Sequence, residues 1–154
     1  MTKHQLMCIL SIDSNQKEGT DIFLSTQSKK GEVVAFLEEL KELLEKEYFD
    51  IDSDFTLIIK KKGDDEEHST PYTLLDLDYD TWDVVERLKE LTVSEYSETK
   101  IDKDDLNPPL LFVFGKEING KLIYVKLKIK GDPKRRVLCV SFHYAADSMR
   151  FPYA

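Results

Sequence analysis

Along residues 121–130, "KLIYVKLKIK", apolar and polar side chains alternate with a period of two. Ile123, Val125, Leu127 and Ile129 fall on one face, Tyr124, Lys126, Lys128 and Lys130 on the other, which is the pattern of a strand with one face on a core. The preceding "LLFVFGKEI" (110–118) reaches it through Asn119-Gly120, a dipeptide that favours a type I′ hairpin turn. "GDPK" then leads into "RRVLCVSFHY", which predicts a third strand over 136–144. Strict alternation there places Val137, Cys139, Ser141 and His143 on one face, and Leu138, Val140, Phe142 and Tyr144 on the other.

Earlier in the chain the period changes to that of a helix. Over 31–49, Val33, Phe36, Leu37, Leu40, Leu43 and Leu44 form an apolar stripe opposite a charged side of Glu38, Glu39, Lys41, Glu42, Glu45 and Lys46. Residues 72–77 run into a second helix near 80–91, with Trp82, Val85, Leu88 and Leu91 buried and Asp78 or Asp80 as its N-cap. Strands are expected at 5–12, 21–26 and 54–62, an exposed acidic turn at 63–70, and an irregular polar stretch over 92–109. Two helices and a C-terminal three-strand meander specify an α+β chain, with a mostly antiparallel sheet carrying its helices on one face. At 154 residues a single domain is expected.

Charge alters this picture more than composition does. Residues 115–136 carry eight basic side chains against two acidic ones, a local net of +6, which leaves −14 for the rest of a chain whose formal net charge is −8. A basic strand face beside the end of the third strand would bring Tyr124, Lys126, Lys128 and His143 into one patch. Imidazole, phenol and ammonium groups are sufficient to cut RNA: one group deprotonates the ribose 2′-OH, another protonates the leaving 5′-oxygen, and lysine steadies the charge on phosphorus. Equally, His143 can be an ordinary strand-edge histidine and the lysines a solvated strand face.

Other chemistry has little support. The six glycines form no nucleotide-binding motif, and Cys8 and Cys139 are too few and too far apart for a zinc site. Both cysteines lie in apolar runs and read as reduced core residues. The Asp76, Asp78, Asp80 run lacks the glycine and distal glutamate of a calcium loop and reads as helix capping. No cofactor and no metal are expected. The apolar run of "MTKHQLMCILSI" is too short for a signal peptide, nothing approaches the ~20 apolar residues of a membrane span, and a cytoplasmic location is expected.

The order "VVAFLEELKELL", "LLDLDYDTWDVVERLKELTVSEYSETK", "GKLIYVKLKIKGDPKRRVLCVSFHYA" resembles the motility-quorum-sensing-regulator (MqsR) family of toxin–antitoxin ribonucleases. The likeness covers residues 31–145 and is densest at "IYVKLKI" and "VLCVSF". It implies a RelE-like fold and the toxin of a type II toxin–antitoxin system, an endoribonuclease that cleaves mRNA and is restrained by a cognate antitoxin protein. The tyrosine of the family's "V-Y-L-K" matches Tyr124 and the neighbouring lysine Lys126. The family's terminal lysine falls on His143, and the lysine after "D-F-Y" falls on Glu98, with Lys100 two positions on. The family's glutamine has no counterpart in "PPLLFVFG".

The expected site is thus catalytic Tyr124, His143 and Lys126, with Lys128, Lys130, Lys100, Arg135 and Arg136 on the RNA. The alternative is a binding or regulatory protein that keeps the fold and engages a protein partner through its acidic face. Residues 1–30 and the tail 146–154 lie outside the likeness, and are expected to add edge strands or cover the active face. The apolar "MRFPYA" should pack against the body.

Overall fold

The structure, a computed structural model, describes residues 25–60, 66–101, 110–131 and 133–154. The expected strand at 5–12 and most of that at 21–26 lie outside them, as does Cys8.

Among the described residues the order is β1 (Ser25–Thr26), α1 (Lys30–Glu45), β2 (Phe55–Leu57), α2 (Thr70–Leu77), α3 (Thr81–Lys89), β3 (Tyr96–Lys100), β4 (Leu111–Ile118), β5 (Lys121–Lys130) and β6 (Arg136–Tyr144). The strands form one sheet in the order β1-β3-β4-β5-β6-β2. Every neighbouring pair is antiparallel except β2 with β6. The α+β class and the meander are as the periodicity predicts. Asn119 and Gly120 both take positive φ (52° and 80°), as a type I′ turn requires.

The stripe of α1 packs on the face bearing Ile123, Val125, Leu127 and Ile129, together with Val84, Val85 and Leu88 of α3 and Leu91 beyond it. Phe36 stacks on Phe112 with ring centroids 4.1 Å apart. Each large apolar side chain buried here contributes about 1.5–3 kcal/mol. The exposed Arg135–Glu39 pair that also links β6's approach to α1 is worth at most about 1 kcal/mol. Burial therefore holds the helices to the sheet.

Four sequence expectations need correction. Residues 72–77 belong to a helix of their own, α2, which ends where Asp78 enters the left-handed region (φ 59°), while the helix expected near 80–91 starts as α3 at its Asp80 cap, through the Asp83 N–H at 3.0 Å. Trp82 is 51% exposed, because it stands in the first turn of α3 with its ring edge-on to Phe49, and Val84 fills the core instead. The helix expected to reach 49 stops at Glu45, and Tyr48 lies at φ 65°. The polar stretch 92–109 contains β3, which pairs with β4 and lies inside the sheet.

A fifth correction sets the geometry of the site. On β6, Leu127 faces Cys139 but Lys126 faces Ser141, so Val140 is an extra residue. This β-bulge interrupts the alternation. Val137, Cys139, Phe142 and Tyr144 all join the core, and His143 is turned to the opposite face. Strict alternation would have put His143 on the core side with Cys139. A second bulge at Ser97 does the same on β3, burying Tyr96 and Thr99 while sending Glu98 outward.

Candidate active site

The face of the sheet opposite α1 and α3 carries two adjacent rows of side chains. Glu98, Val113, Lys126 and Ser141 are register partners across β3, β4, β5 and β6, and Gly115, Tyr124 and His143 make the next row across β4, β5 and β6. Both bulges flank these rows. A groove of about 730 Å³ opens above them, lined by Glu98, Lys100, Tyr124, Lys126, Ser141, His143 and the chain from Ala145 to Arg150.

Tyr124 and His143 stack at its floor, with ring centroids 5.2 Å apart and planes 12° from parallel. The Nζ atoms of Lys100 and Lys126 stand 6.0 and 5.9 Å from the Tyr124 ring centroid, within range of a cation–π attraction. His143 Nδ1 lies 2.9 Å from the Tyr144 carbonyl oxygen. A carbonyl can only accept, so Nδ1 holds the proton and Nε2 is the basic nitrogen of the neutral ring. Burial pushes the Tyr124 phenol above its ordinary range, and the negative charge of Glu98 pushes it further the same way. The phenol therefore stays protonated through neutral pH, as a donor. Glu98 accepts from Ser25 Oγ at 2.6 Å and lies 3.7 Å from Lys100 Nζ, which fixes the carboxylate at the β1–β3 edge of the groove.

The C-terminal tail forms the facing wall. An ideal Cβ on Gly115 would lie 2.8 and 2.9 Å from ring atoms of Phe151 and 3.0 Å from the sulfur of Met149. Glycine inside a strand costs about 0.5–1 kcal/mol relative to alanine, and here it admits the tail against the sheet. Beyond Phe151, Tyr153 stacks on Tyr96 at 5.8 Å, donates its hydroxyl to the Ser28 carbonyl at 2.6 Å and accepts from Gln27 Nε2 at 3.2 Å. The "MRFPYA" segment thus packs as expected, and it borders the groove.

The sequence-predicted residues divide. Tyr124, His143, Lys126 and Lys100 meet in the groove. Lys128 lies on the same strand opposite Leu138, yet its side chain is buried (1% exposed). Lys130 pairs in register with Arg136 at the far end of β5, six residues and about 20 Å from Tyr124. Arg135 binds Glu39 at 2.7 Å and Glu42 at 3.8 Å on the helical side. Lys116 similarly reaches Glu90 and Glu95, and Lys134 reaches Asp54 at 2.6 Å. Much of the basic excess of residues 115–136 is therefore matched by this chain's own carboxylates. Glu98, Ser141 and Arg150 also line the groove, with no site role assigned to them from sequence. The first two depend on the bulges. Arg150 had a signal, a lone cation inside an apolar terminal segment.

No family model matches this chain, and neither a curated protein nor a solved structure matches it. No helix among the described residues is long and apolar enough to cross a membrane.

Proposed function

We propose that the groove is the active site of a metal-independent endoribonuclease, an MqsR-like toxin with a RelE-like fold that cleaves mRNA. The observation that supports this most is the Tyr124–His143 stack, with the ammonium groups of Lys100 and Lys126 6.0 and 5.9 Å from the Tyr124 ring centroid. His143 Nε2 takes the proton of a ribose 2′-OH, and the 2′-oxygen attacks the adjacent phosphorus. The bond from phosphorus to the 5′-oxygen breaks as the Tyr124 phenol protonates the departing oxygen, which as an alkoxide is a stronger base than a phenolate. Solvent then returns the proton from His143 to Tyr124. Lys126 and Lys100 balance the charge that builds on the phosphoryl oxygens. The products are a 2′,3′-cyclic phosphate and a 5′-hydroxyl, and a cognate antitoxin would hold the enzyme in check.

The test is incubation of the purified protein with RNA in excess chelator, with product ends identified by mass. His143→Ala and Tyr124→Phe should each slow cutting by about 10²–10⁴-fold with melting temperature nearly unchanged. Full activity in His143→Ala would move the chemistry elsewhere. The pairing of Lys116, Lys134 and Arg135 with internal carboxylates favours the second reading, a non-catalytic protein that binds a protein partner through its acidic face. Induced expression separates the two: growth arrest that depends on His143 supports the nuclease, and unaffected growth supports the binding protein.

A further inference from the structure

The tail supplies a cation that the sheet does not. Met149 and Phe151 both seat on Gly115, the register partner of Tyr124, and Arg150 lies between them and lines the same groove. The seat is anchored further on by Tyr153, through its stack on Tyr96 and its hydrogen bond to Ser28. Arg150 thus sits between two packed neighbours, on a segment pinned at its far end, and lines the same groove as Lys100 and Lys126. Among the described residues, the carboxylates lining that space are Glu98, engaged by Ser25 and Lys100, and Asp147 of the tail itself. A guanidinium offers a planar fork of N–H donors that matches two phosphate oxygens at once, which an ammonium cannot do.

Deepening the nuclease reading, on which it rests, we propose that Arg150 is a phosphate-binding residue of the groove, positioned by the seating of Phe151 on Gly115. The tail is then part of the substrate site.

The probe is a fluorescein-labelled single-stranded 2′-deoxy oligonucleotide, which lacks the attacking hydroxyl and so reports binding alone. Anisotropy titrations over a range of salt compare the wild-type chain with Arg150→Ala, Arg150→Lys and Gly115→Val. Arg150→Ala should weaken binding about tenfold or more and lower the slope of log K against log salt by about 0.7, one single-strand phosphate contact. Arg150→Lys should restore the slope but only part of the affinity. Gly115→Val, which keeps Arg150 and fills its neighbours' seat, should reproduce the loss. If that variant does not fold, the alanine and lysine pair still decides. Arg150→Ala with wild-type affinity and slope overturns the proposal. Wild-type protein that binds but cuts no RNA, with binding weakened in Arg150→Ala, refutes the nuclease and sustains the phosphate contact. Wild-type protein that does not bind overturns both.

Discussion

The Thr73 hydroxyl accepts the backbone N–H of Tyr144 at 3.0 Å, and the carbonyl of the same Tyr144 receives His143 Nδ1. A side chain on α2 thereby completes the edge of β6 beyond the reach of β2, which pairs only with residues 137–139. Thr70 does the same for the Phe142 N–H at 3.2 Å. Thr73→Val should leave a buried N–H unpaired, at a cost of about 1–3 kcal/mol, and let the peptide that orients His143 shift. Both unfolding midpoint and cleavage rate should fall, and Thr73→Ser should recover most of each. A valine variant with wild-type stability and rate would show that the contact is incidental.

Asp54 illustrates a pH-dependent contribution. The Lys134 ammonium beside it, helped by the Asp50 N–H and Lys46, holds its carboxyl down at about 2 against burial. A depressed carboxylate stabilises the fold above its unfolded value of about 3.8, and that stability is lost as pH falls through about 2. Because Lys134 is half exposed, solvent screening reduces the contribution to about 1 kcal/mol. Asp54→Asn should be less stable than the wild type by that amount at neutral pH, with the gap closing near pH 2. Denaturant unfolding at both pH values measures it, and a gap independent of pH would refute the assignment.

Position, not charge count, should decide which cations bind RNA. Lys100→Glu with Lys126→Glu should abolish most affinity. Arg135→Ala, which releases an exposed pair with Glu39, should leave affinity unchanged and cost at most about 1 kcal/mol of stability. Equal losses in filter-binding assays would restore a footprint spread along the whole basic segment.

The raised Tyr124 phenol predicts an asymmetric pH profile. Burial holds the Tyr124 proton above its ordinary range, so the cleavage rate should show no alkaline decline up to at least pH 9. A decline between pH 8 and 9 would mean that another group supplies the proton to the leaving oxygen.

Cys139 shows how far composition alone reaches. Its apolar run marked it as a core thiol, and it is wholly buried, with burial pushing the thiol up to about 12. The meeting of Tyr124 with His143 was legible, but the change of face along β6 that allows it was not. Alternation on β5 placed Tyr124 and Lys126 on the non-core face correctly, but the same rule on β6 put His143 with Cys139. The difference is the one extra residue, Val140, which "VLCVSFHY" does not announce: a bulge costs little locally and is set by how β6 registers on β5.

The sequence by itself determined the elements whose signal is local and repeated. The α1 stripe, the Asn119-Gly120 hairpin and the three C-terminal strands follow from periods of 3.6 and 2 and from the φ that glycine tolerates. Tertiary structure alone decided what required distant segments to meet. β3 is too polar to read as a strand, and becomes one because β4 and β1 satisfy its backbone while Glu98 and Lys100 face the groove. Arg135 became a partner of Glu39, ninety-six residues away. The tail became a wall because Gly115 leaves room for Phe151. Backbone preference acts over a few residues, whereas burial and charge pairing act between whatever surfaces the fold brings together.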